Sequence, residues 1–228
     1  VRAPEGYEFA IADLSSIEYV VVGWQAECER TYNVLSSGLD AYKDFGVHLL
    51  GKPYDEITKL ERTFCKPPVL GCGYRLGPGQ ERGDKKTGLL GYADSMGVAM
   101  SLADAERAVE TYRRLYVAVK NFWYEIESAA KRVILKRVRT AEAGPLVFDR
   151  SGPFLRMRLP SGRYLYYLRP RLEDVKTPWG ETRPTITYEG LDQDTRKWKR
   201  QSTHGGKMVE NSTQAIARDI LADGLKRA

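Results

Sequence analysis

Residues 154–168 read FLRMRLPSGRYLYYL, two runs of alternating apolar and polar side chains on either side of Pro-Ser-Gly. Period-two alternation around a turn tripeptide specifies an antiparallel hairpin, and that restricts the fold more than any other stretch. Short strands are expected again around TITYEG and RKWKRQ, followed by a helix from about Gly206 almost to the end. Upstream the text is helical. Ser101 with Asp104 marks a helix start, and helical spacing continues to about residue 136 with a bend near VAVKN. At the other end, residues 7–13 read as a buried strand tipped by Asp13. Ser15-Ser16-Ile17-Glu18 then has the form of a capping box, opening a helix to about residue 30 that SSGLD breaks. Short helical segments are expected over 39–46 and 54–65, and the glycine-rich text of 67–97 leaves little room for long elements. Helices and hairpins are segregated rather than alternating, so the fold class is α+β, not a parallel sheet.

Composition excludes several classes. No apolar run approaches the ~20 residues of a membrane helix, and VRAPEGYEF lacks the form of a signal peptide. The absence of an initiator Met suggests that Val1 is not the natural start. Three cysteines, Cys28, Cys65 and Cys72, suit a reducing compartment better than a disulfide framework, and their spacing is not that of a zinc site. The two histidines, His48 and His204, have no recognisable catalytic partners. A net charge of +6 biases the chain mildly toward polyanions. Lys131, Arg132, Lys136, Arg137 and Arg139 crowd one segment, and Arg156, Arg158, Arg163, Arg169 and Arg171 crowd another among tyrosines. Each is either a solvated charged face or a polyanion surface. In the last helix, ~100° per residue sets Val209, Ile216 and Ile220 on one face. Lys207, Asn211, Gln214 and Arg218 fall opposite, either a solvated stripe or donors for phosphates and base edges.

Three separated stretches share one resemblance. DLSSIE, Asp13 to Glu18, resembles motif A of the family A (DNA polymerase I family) DNA polymerases. RTFCKPPVLGCGYRLG resembles their motif B, with Arg62, Lys66, Leu70 and Tyr74 at steps of four. GGKMVENSTQAIARDIL resembles the palm helix before their third motif, and WYEIESAA and LPSGRYLYY also match the phage-type branch. The resemblance runs through nearly the whole chain, in order.

It implies a partial polymerase palm, an antiparallel sheet with helices, plus mostly helical fingers carrying a β-hairpin insertion. Residues 1–38 and 185–228 would be palm, and 39–184 fingers. It implies template-directed nucleotidyl transfer from dNTP to a primer 3′-hydroxyl by a two-magnesium mechanism. Asp13 and the Leu14 carbonyl would be metal ligands, and Glu18 would exclude ribonucleotides at the sugar 2′ side, besides or instead of closing the capping box. Arg62 and Lys66 would grip the triphosphate, with Lys66 also protonating the departing pyrophosphate. Leu70 would pack on the nucleotide, and Tyr74 would stack near the templating position. Gln214 would read the minor groove near the primer end, with Asn211 and Arg218 alongside. Lys207 and the Gly205-Gly206 pair would contact phosphate, although the P-loop spacing is absent.

The chain also departs from the family's commoner pattern. Pro67 and Pro68 make one continuous motif B helix doubtful, and a helix entering at Pro67 with Lys66 just outside it is expected instead. Leu70 stands where relatives often have an aromatic, and Arg75 where many have Gly. The family's His-Asp-Glu motif should follow the last helix, but the sequence stops at Ala228, so the expectation is a fragment that alone does not polymerise efficiently. Expected partners are primer–template DNA and dNTP, with no membrane and an unspecified oligomeric state. The expected location is the cytoplasm of a bacterial host cell. The competing class is a non-catalytic nucleic-acid-binding protein derived from a polymerase; an RNA-templated or ribonucleotide-using enzyme is a third, against which Glu18 speaks.

Overall fold

The computed structural model describes residues 2–9, 11, 13–176, 180–192 and 195–227. Its first half is helical. Helix α1 spans Ile17–Gln25, α2 Glu29–Ser36 and α3 Ala41–Leu50. The expected helix to residue 30 is two helices. The chain turns at Glu27 (φ 49°) so that Gly23 packs against Thr31, where a Cβ on Gly23 would lie 2.4 Å from the Thr31 side chain.

The strand expected over 7–13 is absent among the described residues. Tyr7, Phe9 and Ile11 are 74%, 55% and 92% exposed and pair with no strand. A strand needs a neighbour to satisfy its backbone, and local alternation does not provide one. The expected capping box is also absent: Ser16 sits at φ 53° with no side-chain cap, and Glu18 points elsewhere. A capping box does form at Thr58 and Glu61, opening α4 (Lys59–Phe64).

Helix α5 follows at Lys66–Cys72, after a one-residue break at Cys65. Pro67 and Pro68 have no N–H to return to the preceding turn, and the ladder resumes with Val69 N–H donating to the Cys65 carbonyl at 3.3 Å. Lys66 is thus the first residue of α5, not outside it as expected. The glycine-rich tract holds a two-residue-per-strand hairpin, β1 (Glu81–Arg82) and β2 (Lys85–Lys86), then α6 (Gly88–Ser95). Ser101 caps α7 (Leu102–Leu115), and Tyr116 marks the bend before α8 (Val117–Ile134).

The second half is one antiparallel meander: β3 (Thr140–Ala143), β4 (Leu146–Ser151), β5 (Phe154–Arg158), β6 (Tyr164–Lys176), β7 (Thr182–Leu191) and β8 (Trp198–Thr203), neighbours in that order. The hairpin read from FLRMRLPSGRYLYYL is β5–β6, with Arg158 opposite Tyr164. Alternate residues Phe148, Leu155 and Met157 bury one face of β4 and β5 in the core. Helix α9 (Gly205–Arg227) packs between α1 and α8. The result is a mixed α+β fold with helices and a curled antiparallel sheet, centred on Phe45, Tyr112, Tyr116, Phe122 and Trp123.

Candidate functional site

Glu18, in the first turn of α1, meets side chains from two distant parts of the chain. Gln214 Nε2 on α9 donates to Glu18 Oε1, and the Tyr74 hydroxyl, in the turn after α5, donates to Glu18 Oε2 at 3.5 Å. Burial, reinforced by Glu18 and Glu210, pushes the Tyr74 phenol well above its ordinary pKa, so it stays protonated as a donor.

Backbone contacts fix Tyr74. Trp123 Nε1 on α8 donates to the Gly73 carbonyl at 2.6 Å. A Cβ on Gly206 would lie 2.3 Å from the Tyr74 carbonyl oxygen, and one on Gly205 would lie 1.8 Å from that of Trp123. The Gly205–Gly206 pair therefore lets α9 approach this turn. Both glycines are buried, and Glu127 Oε2 takes the Gly205 N–H at 3.0 Å, so this N–H is already engaged within the fold and not free for the phosphate contact expected of the pair. Glu127 also accepts from Arg75 at 3.1 Å and from Lys131 at 2.6 Å. Burial opposes ionisation of Glu127, but Lys131, the Gly205 N–H and Arg75 hold its carboxyl below the usual range. Arg75 has φ 67°, a conformation that favours glycine.

Arg62 and Lys66, the cations expected to grip a triphosphate, share a tyrosine. Arg62 Cζ lies 4.9 Å and Lys66 Nζ 6.0 Å from the ring centre of Tyr42. Arg62 donates to Asp40 Oδ2 through Nε at 2.9 Å and Nη2 at 2.6 Å. Asp40 also caps α3, its Oδ1 accepting from the N–H groups of Tyr42 and Lys43, both at 3.0 Å. Partial burial opposes its charge, but Arg62 and these amides hold the Asp40 carboxyl below its ordinary value. Tyr42 and Tyr92 on α6 are both pushed up, chiefly by burial, and each feels the Glu18 charge. Asp40, Tyr42 and Tyr92 were not among the expected site residues: no motif or spacing in the sequence distinguishes them. Leu70 is half-buried on α5, between the cations and Tyr74 in sequence.

On α9 the expected polar stripe forms. Lys207, Gln214 and Arg218 are exposed and Asn211 is half-buried, with Val209 and Ile216 turned into the core. Ile220 departs from the expectation at 44% exposed: it lines a surface groove with Val20, Trp24 and Ile216 instead of entering the core. Asn211 Nδ2 donates to the Tyr167 hydroxyl on β6 at 3.2 Å, and Lys207 pairs with Glu210 at 3.0 Å. Between this stripe and the sheet runs a groove lined by Arg163, Tyr166, Tyr167, Tyr188, Gln214 and Arg218.

Asp13 and Leu14 stand in the irregular segment before α1, both exposed. Among the described residues the Asp13 carboxylate has no hydrogen bond or ion pair, while the Leu14 carbonyl accepts from Ile17 N–H at 3.4 Å. No group of three or more His, Cys, Asp or Glu able to hold a metal occurs among the described residues. One carboxylate and one carbonyl do not by themselves make a magnesium site. The structure thus joins Glu18, Tyr74 and Gln214, joins Arg62 to Lys66 through Tyr42, and leaves Asp13 apart.

Over 225 residues, 98% of its length, the chain is 32% identical to the DNA polymerase of Bacillus phage SP02. The chain shows family A DNA polymerase-like homology. It is also 29% identical over 124 residues, 54% of its length, to DNA polymerase I of Aquifex aeolicus (strain VF5). It spans 33% of the phage polymerase and 20% of the Aquifex one. Among solved structures it is similar to the POL domain of Pol1 from M. smegmatis in complex with DNA primer-template and dNTP. That similarity has a TM-score of 0.46 and 17% identity, covering 68% of this chain and 21% of that one. No family model matches. No described helix is long and apolar enough to cross a membrane.

Proposed function

We propose that this chain is the fingers and part of the palm of a template-directed DNA polymerase, adding dNTP to a primer 3′-hydroxyl. The observation that carries the reading is the meeting of Glu18, Tyr74 and Gln214, one from each of three stretches 56 to 196 residues apart. In this reading Arg62 and Lys66 hold the triphosphate, the guanidinium as a fork and the ammonium as a point charge. Lys66 also gives its proton to the departing pyrophosphate. Leu70 packs on the nucleotide, Glu18 closes the 2′ side of its sugar, and Tyr74 lies beside the templating base. Lys207, Asn211, Gln214 and Arg218 face the primer–template duplex. Residues 1–38 and 185–228 serve as palm and 39–184 as fingers, with β7 running across the second boundary. Asp13 and the Leu14 carbonyl belong to the reading as magnesium ligands through homology alone, and they need carboxylates that the described residues do not supply.

The test is primer extension by the complete protein, with and without Asp13→Ala. Loss of extension with retained DNA binding supports the reading; extension at the wild-type rate overturns it. Salt-sensitive DNA binding by the wild type with no magnesium-dependent turnover would instead support the non-catalytic class.

A further inference from the structure

The cation-rich segment at 131–139 is not used by the functional reading above. It forms one wall of a groove of ≈ 300 Å³ on the outer side of α8, lined by Tyr124, Glu127, Lys131, Arg132, Leu135 and Arg137. The cations there are not accounted for by internal pairing. Lys131 pairs with Glu127, but the side chains of Arg132, Lys136, Arg137 and Arg139 make no ion pair or hydrogen bond among the described residues. The one carboxylate in the groove, Glu127, is already neutralised by Arg75, Lys131 and the Gly205 N–H.

Two further features distinguish this groove from a solvated helix end. Tyr124 and Leu135 are 52% and 46% exposed, so it offers an aromatic surface and an aliphatic one beside the cations. It also begins at the candidate site. Arg75, the residue after Tyr74, lays its guanidinium 5.0 Å from the Tyr124 ring centre and bonds Glu127. From Tyr124 the groove follows α8 to its C-terminal end at Ile134, about 15 Å at 1.5 Å per residue. That length accommodates a short stretch of single strand.

We infer that this groove carries the unpaired template strand away from the Tyr74 turn, with Arg132 and Arg137 on phosphates and Tyr124 stacking on a base. A positive track interleaved with aromatic surface is what sequence-independent single-strand binding requires. The inference builds on the polymerase reading, because it takes the Tyr74 turn as the place where the template leaves the duplex.

The test is fluorescence anisotropy with two labelled primer–templates of equal duplex length, one blunt and one with a 5′ template overhang of about five nucleotides. Arg132→Ala/Arg137→Ala should weaken binding of the overhang DNA about tenfold, lower its log K against log salt slope by about 1.4, and leave the blunt duplex unchanged. Tyr124→Leu, which keeps apolar volume against Arg75, should weaken the overhang DNA with its salt slope unchanged. All three side chains lie on the surface, and an unaltered melting transition confirms intact variants. Equal weakening on both DNAs, or none on the overhang, overturns the inference while leaving the polymerase reading in place. A wild-type complete protein that binds neither DNA overturns both.

Discussion

Gln214 Nε2 donates to Glu18 Oε1, linking the ninth described helix to the first across 196 residues of sequence. The carboxylate is half-buried and also accepts from Tyr74, so its direction is set by partners on two other elements. A group held this way is pre-oriented, as the sugar-gating role proposed for Glu18 requires.

If this contact positions Glu18, the pair should be coupled. A double-mutant cycle with Glu18→Ala and Gln214→Ala, measured by urea unfolding, should give an interaction energy of about 0.5–1.5 kcal/mol. Additive single-mutant effects would show that the two side chains act independently. In the complete protein, Glu18→Ala should raise ribonucleotide use relative to dNTP at least about tenfold; an unchanged ratio rejects the sugar role.

Asp13→Ala separates chemistry from folding. The side chain is exposed and without a partner among the described residues, so unfolding free energy should move by less than about 0.5 kcal/mol. In the complete protein, extension should nevertheless fall by at least about three orders of magnitude. A stability loss of several kcal/mol would instead make Asp13 a structural residue.

Gly206→Ala tests the approach of α9 to the Tyr74 turn. Its Cβ would meet the Tyr74 carbonyl at 2.3 Å and Arg75 Cβ at 2.4 Å, and backbone cannot move aside as a flexible side chain can. Destabilisation of about 1–3 kcal/mol is expected, with weaker nucleotide binding in the complete protein. Gly224→Ala, with nothing near its Cβ, is the control and should be neutral or slightly stabilising.

Asp40 makes stability depend on pH. Its carboxyl is held below the ordinary value in the fold, so its contribution is present above the unfolded pKa of about 3.9 and lost as pH falls through the lower folded pKa. About a third of the side chain is exposed, which limits the effect to about 1 kcal/mol. Asp40→Asn should therefore be less stable than wild type at pH 6, and the gap should narrow toward pH 3. A gap constant over that range would show that the fold does not hold the Asp40 carboxyl below its ordinary value.

Cys65 and Cys72 should be inert to thiol reagents at pH 8. Burial pushes both up to about 12, and neither is accessible to solvent. Reaction with a disulfide reagent should follow the unfolding transition in urea; rapid reaction in buffer alone would show that α5 opens locally.

The sequence by itself determined whatever is encoded within a few neighbouring residues. Ser101 with Asp104 set the start of α7, the two prolines broke α4 from α5, Pro-Ser-Gly set the β5–β6 turn, and the period of α9 set its polar stripe. The order of the motif-like stretches was also legible, and with it the polymerase-like homology. Long-range pairing was not. The alternation of residues 7–13 looked like a strand, yet a strand exists only where another lies beside it, and none does among the described residues. Ser15 to Glu18 had the letters of a capping box, but Gln214 and Tyr74 engage the carboxylate instead. Asp40, Tyr42 and Tyr92 entered the site because α3 and α6 pack beside the cations and Glu18, a proximity with no signature in local spacing. Gly205 and Gly206 looked like a phosphate contact and are a close packing joint, since only the tertiary structure shows what lies within 2.5 Å of an absent Cβ. Local periodicity follows from backbone geometry and is written residue by residue; which carboxylate meets which amide depends on how separate elements bury their apolar faces together.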